Sequence, residues 1–231
     1  MSYFPMYIEL KDAPCLVAGG GRIAARKVEV LLDFGAEITV VAPRLTQELR
    51  ENPKIKAVAR PFQEKAIEGM TLVVAATEDG ELNHQISALC RKKKIFVNAV
   101  DQKADCTFIF PAYVKRGQVT AAVTTGGSSP ALAKYLKREI EKVIPKQIGT
   151  LAESLERLRP YVKATLSEEK QRAWVFEKLF ETGHFRLNQG QENAQLFDRT
   201  EVDNLIKEAQ NEYPNRNQGI EAGHGSGQRG L

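Results

Sequence analysis

The stretch Cys15-Leu16-Val17-Ala18-Gly19-Gly20-Gly21-Arg22-Ile23-Ala24 decides the fold. Its first four residues have the length and bulk of a buried strand, and they run straight into three glycines. Arg22-Ile23-Ala24-Ala25-Arg26-Lys27-Val28 then reads as the opening of a helix. Gly19, Gly21 and Ala24 thus stand at the spacing G-x-G-x-x-A between strand and helix. The first small residue makes a tight turn, the second lets backbone approach a pyrophosphate, and the third lets helix pack on strand. The helix start adds unpaired N–H donors and the positive end of its dipole. A turn that merely uses glycine is the alternative, and the strand-turn-helix context favours a dinucleotide site.

Working outward, the helix stops at Gly35, a C-terminal cap. Residues 38–41 form a second strand that ends at Ala42-Pro43-Arg44. A fold of this kind that selects NAD usually carries Asp or Glu there, on the ribose 2′-hydroxyl. That carboxylate is absent, and Arg44 is either a solvated loop residue or a partner for a 2′-phosphate. Residues 55–59 and 72–76 make the third and fourth strands. The small residues after Ala76, beginning with Thr77, leave room for a cofactor at the strand end. A helix over 81–91, a solvated basic run to Lys94 and a fifth strand over 95–100 follow. A short edge strand is expected over 7–10. Strand and helix alternate, so residues 1–113 are expected to form an α/β, doubly wound, Rossmann-type parallel sheet. Its ligands bind outside the carboxyl ends of the strands, where the glycines, Thr77 and Asp101 fall.

After Asp101 the pattern changes. An apolar segment over 107–111 meets Pro111, and Lys115-Arg116-Gly117-Gln118 reads as a hairpin turn into a strand over 119–125. Pro130 at a first helical position, with Ser129 as cap, opens a helix to Val143. Residues 114–145 have too little core alone and are expected to be a small α+β dimerisation domain. A helical domain is expected over 146–182, as two helices broken at Pro160. From 183 to 231 a polar, largely disordered tail is expected, with one amphipathic helix over 194–209 and a dispensable end after Asn211.

The 231 residues carry 33 Lys and Arg against 29 Asp and Glu, a net charge of +4 that argues no nucleic-acid partner. Three scattered cysteines, Cys15, Cys90 and Cys106, read as reduced thiols. His84, His184 and His224 are equally scattered, so no metal site is expected, and Asp105 reads as a surface carboxylate. No span approaches membrane length, and a cytoplasmic protein is expected.

Five segments stand in fixed order: V-A-G-G-G-R-I-A-A-R-K, V-A-A-T-E-D, F-V-N-A-V-D, F-I-F-P-A and T-T-G-G-S-S-P-A-L-A. Together they resemble the precorrin-2 dehydrogenase family, including the amino-terminal module of siroheme synthases, over roughly residues 6–180. The resemblance implies NAD-dependent oxidation of precorrin-2 to sirohydrochlorin, ferrous iron insertion in several relatives, and a homodimer. It implies cofactor contacts at Gly19, Gly20, Gly21, Arg22, Ile23, Pro43, Arg44, Ala76 and Thr77. Substrate contacts are implied at Asn98, Gly126, Gly127, Ser128 and Ser129, and Asp101 is implied as the base, with a turn aspartate as its alternative. Lys115, Arg116, Lys134, Lys137 and Arg138 suit an acidic tetrapyrrole, or are merely exposed charges. Two other readings stay open: a dehydrogenase served by a separate chelatase, and a nucleotide-sensing regulatory module.

Overall fold

The computed structural model describes residues 3–190 and 196–214. Five parallel strands, β1 (Pro14–Ala18), β2 (Glu37–Ala42), β3 (Ile55–Ala59), β4 (Leu72–Ala75) and β5 (Phe96–Ala99), lie in the order β3-β2-β1-β4-β5. The chain first winds outward from β1 to β3, then returns to β4 on the other side of β1. That reversal opens a crevice beyond the carboxyl ends of β1 and β4. Alternation along β1 divides the core between two faces. Cys15 and Val17 pack with Ala24, Val28 and Leu31 of α1 (Arg22–Asp33). Leu16 and Ala18 pack with Ile86 and Cys90 of the helix over Gly80–Lys92. Between these two helices lies the short α2 (Gln47–Glu51), which makes the Gly80–Lys92 helix α3.

Residues 7–10 form no strand, contrary to expectation. They join none of the strand ladders, and Tyr7 is exposed. The apolar segment over 107–111 takes no regular secondary structure. Phe108 and Phe110 instead pack against the core on the α1 face, with ring centroids 5.2 Å apart.

The chain divides into two compact units. One comprises residues 1–111 with 124–130; the other comprises 112–123 with 131 onward. The sequence boundary at 113 therefore misses a return of the chain: the segment 124–130 belongs with the five-stranded sheet.

The second unit begins with the antiparallel hairpin of β6 (Ala112–Arg116) and β7 (Val119–Val123). Its two-residue turn uses Gly117 at φ +57°. The helix α4 (Pro130–Val143) starts at Pro130, as expected, and buries none of its residues. Three more helices follow: α5 (Ile148–Thr165), α6 (Glu169–Asn188) and α7 (Arg199–Glu212). Two expectations fail here. Pro160 does not break α5; packing of Val162 and Leu166 in the helical core outweighs the one backbone bond proline cannot make. Nor does folded chain end near Gly183. That glycine lies inside α6, where a Cβ would come within 2.4 Å of Leu151 Cδ1 and 2.8 Å of Phe197 Cζ. Val202, Ile206 and Ala209 of α7 are buried in the same core, so residues 196–213 are structure rather than tail. The expectation of a disordered end falls on residues 215–231, outside the described residues.

Candidate active site at the carboxyl edge of the sheet

The glycine turn is shaped by what surrounds it. Gly19 has φ +138°, and a Cβ there would lie 2.2 Å from the Ala76 carbonyl oxygen. A Cβ on Gly20 would lie 1.9 Å from the Arg44 carbonyl oxygen, because the loop after β2 folds back and Thr46 N–H donates to Gly20 O (2.9 Å). Only Gly21 faces open space, with no atom within 4 Å of a Cβ position. Gly21 also caps α1 without any side-chain hydrogen bond, and no acidic residue occupies the first turn. Free N–H donors, the dipole end and space for oxygen atoms thus coincide. A pyrophosphate fits this cradle. Arg22 and Ile23 are exposed beside it, and Ala24 is fully buried, closing helix on strand. Pro43 and Arg44 are exposed at the end of β2, which offers Ala42 in place of a carboxylate.

Ala76 and Thr77 extend β4 to the same edge. Asn83, 3% exposed, pins Thr77: its Oδ1 accepts the Thr77 N–H (3.1 Å) and its Nδ2 donates to Thr77 O (3.1 Å). Asp79 caps α3 by accepting from Glu81 N and Leu82 N. The sequence reading missed Asn83; its signal was an amide three residues into a helix, facing back over the cap.

Asp101 stands two residues past β5, exposed, with φ +61°. That left-handed backbone is uncommon for a residue bearing a side chain, and it is held by the loop that follows. Lys27 of α1 sits nearby, half-buried, with Nζ 3.9 Å from the centre of the Phe110 ring. Burial pushes its ammonium below the usual range, opposed by the charges of Cys106 and Asp101. Asn98 is 8% exposed and donates to Phe108 O (3.0 Å), so it fastens the chain after Asp101. Cys106 and the other two cysteines are buried free thiols; burial alone raises Cys15 and Cys90 to about 11.

One expectation about this edge needs correction. Asp105 is not a surface carboxylate: its side chain is 18% exposed and lies 2.9 Å from His84 Nδ1. In the loop over 125–129 three N–H groups are bonded within the turn itself. Gly126 N–H donates to Thr124 Oγ1, Ser128 N–H to Thr125 O, and Ser129 N–H to Thr125 Oγ1. Gly126 and Gly127 adopt φ +62° and +83° to make that turn, and Ser128 Oγ donates to Thr125 O (2.7 Å). Lys103 Nζ donates to Gly126 O, which ties this loop to the one carrying Asp101. Among the described residues, no cluster of three His, Cys, Asp or Glu side chains is placed to hold a metal. No helix among them is long and apolar enough to cross a membrane.

Residues 6–112 match a family described as putative NAD(P)-binding, and residues 116–142 match the family of the sirohaem biosynthesis protein central region. A siroheme synthase of Thioalkalivibrio sulfidiphilus is 42% identical over 78% of this chain and 38% of its own length. A siroheme synthase of Zymomonas mobilis is 34% identical over all of this chain and 49% of its own. The chain belongs to the family of siroheme synthase amino-terminal modules. It spans less than half the length of these curated relatives. The fold of SirC, a precorrin-2 dehydrogenase, matches with a TM-score of 0.64 at 21% identity, covering 90% of this chain and all of that one. Membership accounts for the NAD(P) cradle around Gly21 and for the hairpin and helix that follow the sheet.

Proposed function

We propose that this chain oxidises precorrin-2 to sirohydrochlorin with NAD, with Asp101 as the general base. The observation that carries this reading is Asp101 itself, held left-handed at the ligand edge of an NAD(P)-binding sheet, on a loop bound to the 125–129 turn. The oxidation removes a hydride and a proton from the macrocycle. A bound nicotinamide supplies the hydride acceptor. Gly19, Gly20, Gly21, Arg22 and Ile23 hold the dinucleotide, with Pro43, Arg44, Ala76 and Thr77 along its ribose side. The Asp101 carboxylate receives the proton, and Lys27 lends positive charge beside it. Asn98 and the 125–129 turn set the course of the loops that face the substrate.

Ferrous iron insertion, as a second activity, needs a base for the pyrrole protons, and Asp101 serves it too; iron is then a substrate. NAD is favoured over NADP on family membership, and the preference is modest because nothing acidic near Ala42 repels a 2′-phosphate. A homodimer through 114–145 is supported by α4, which leaves Leu132, Tyr135 and Val143 exposed. A cytoplasmic protein suits this chemistry.

Anaerobic turnover of precorrin-2 with NAD and then NADP, followed by addition of cobalt or ferrous iron, tests the reading. Sirohydrochlorin formation is expected, faster with NAD. Nicotinamide dinucleotide binding without turnover would point instead to a regulatory module, and turnover without metal insertion to a dehydrogenase alone.

A further inference from the structure

The loop from Asp101 to Cys106 is clasped along one face of α3. His84, Ser87 and Arg91 recur there at spacings of three and four, so they share one stripe of the helix. His84 Nδ1 lies 2.9 and 3.0 Å from the two oxygens of Asp105. Ser87 Oγ donates to the Asp105 carbonyl (2.6 Å), and Arg91 Nη2 donates to the carbonyls of Ala104 (2.8 Å) and Cys106 (3.2 Å). From the other end, Gln102 Nε2 donates to Gly80 O (2.8 Å), at the start of the same helix. The loop is therefore held by three of its backbone carbonyls, by the Gln102 side-chain amide and by the Asp105 carboxylate.

We propose that the His84–Asp105 contact is a latch that holds the Asp101 loop in shape, which makes His84 a positioning residue for the base. This rests on the reading of Asp101 as that base. Of the contacts just described, it is the one whose strength changes near neutral pH. The carbonyl bonds made by Ser87, Gln102 and Arg91 carry no titrating group in that range. The hydrogen bond and then the charge of Asp105 raise the pKa of His84 above its ordinary 6.5, and Glu81 on the same helix adds to this. Arg91 of α3 is the cation next to the pair, since it donates to the carbonyls of the two residues that flank Asp105. The sign follows: the charged latch is complete below the ordinary imidazole value and weakens as pH rises through the raised one. A loosened loop leaves Asp101 free to leave its left-handed conformation, and small displacements of a base cost rate.

The variants His84→Gln, His84→Ala and Asp105→Asn test this. Glutamine keeps a hydrogen-bonding side chain and loses the titration. Amide exchange over 102–106 is compared at about pH 6 and about pH 8.5, corrected for intrinsic rates. Each variant is expected to exchange faster there at the lower pH, and wild type to approach them at the higher. In turnover of precorrin-2 with NAD, kcat is expected to fall about three- to tenfold with NAD affinity unchanged. A fall of kcat at alkaline pH is expected in wild type and a flatter profile in the variants, with the double variant costing no more than either single change. Unchanged exchange in His84→Gln overturns the latch, whatever Asp101→Asn does. Faster exchange with wild-type kcat and pH profile overturns the positioning role. Full activity in Asp101→Asn removes the catalytic reading alone, since exchange still reports the latch.

Discussion

Lys103 and Gly126, 23 positions apart in sequence, are joined by a bond from the lysine ammonium to the glycine carbonyl oxygen. It links the loop that presents Asp101 to the turn that precedes α4. The lysine stem also lies against Gly127, 3.6–3.7 Å from where a Cβ would be. Lys103→Met removes the bond and keeps most of the stem. The expected outcome is a fall in kcat for precorrin-2 of about tenfold with NAD affinity within about twofold of wild type, and recovery in Lys103→Arg. Steady-state kinetics beside an NAD titration read both quantities.

The glycines of the cradle separate stability from binding. Alanine at Gly19 meets the Ala76 carbonyl at 2.2 Å and a φ of +138°, so both backbone and neighbour must move. A loss of about 2–4 kcal/mol is expected, together with loss of NAD binding. Alanine at Gly21 meets nothing, and its φ of −89° is open to any residue. Its melting temperature is expected to match wild type while NAD affinity falls at least about tenfold, because the methyl group takes space the phosphates need. Thermal melts with parallel NAD titrations distinguish the two. Equal loss of stability in both variants would contradict this account of the turn.

Asp101 trades stability for chemistry. Asp101→Asn keeps the shape and removes the base, so turnover is expected to fall about 100-fold or more with NAD affinity intact. Asp101→Gly relaxes a φ of +61°. That variant is expected to be equally inactive and up to about 1 kcal/mol more stable. An active asparagine variant would reduce Asp101 to a turn residue.

Truncation after Asn211, which composition alone marks as harmless, is expected to destabilise the helical unit. Gln171, 1% exposed, donates to the Tyr213 carbonyl (2.6 Å), and Tyr213 N–H closes α7 on Ala209 O. Removing residues 212–214 with the rest deletes both bonds, a cost of about 1–3 kcal/mol. Truncation after Pro214 keeps them and is expected to leave the melting temperature unchanged. Chemical denaturation of the two truncations decides between these positions.

Much of this architecture could be read from contiguous residues. The strand-glycine-helix run at 15–24, the apolar runs ending at Ala75 and Ala99, the turn at Gly117 and the helix start at Pro130 each carry their instruction locally. A positive φ, a proline ring or a two-residue periodicity needs no distant partner to be recognised. The errors lie where a distant partner decides. Pro160 stays helical because Val162 and Leu166 are buried by α6 and α7, and residues 7–10 stay outside the sheet although their pattern suits an edge strand. An amphipathic helix is legible over 194–209, but not that Val202, Ile206 and Ala209 complete a core.

The sequence alone determined the parallel α/β unit, its dinucleotide cradle and the place of Asp101 at the edge, since each follows from steric demands on neighbouring residues. Only the tertiary structure decided which groups govern that edge. His84 meets Asp105 across 21 positions, Asn83 turns back onto Thr77, and Lys103 reaches Gly126 because α3 and two loops converge beyond the strands. Hydrogen-bond partners so far apart are chosen by the packing of whole elements, and no local pattern of residues encodes that choice.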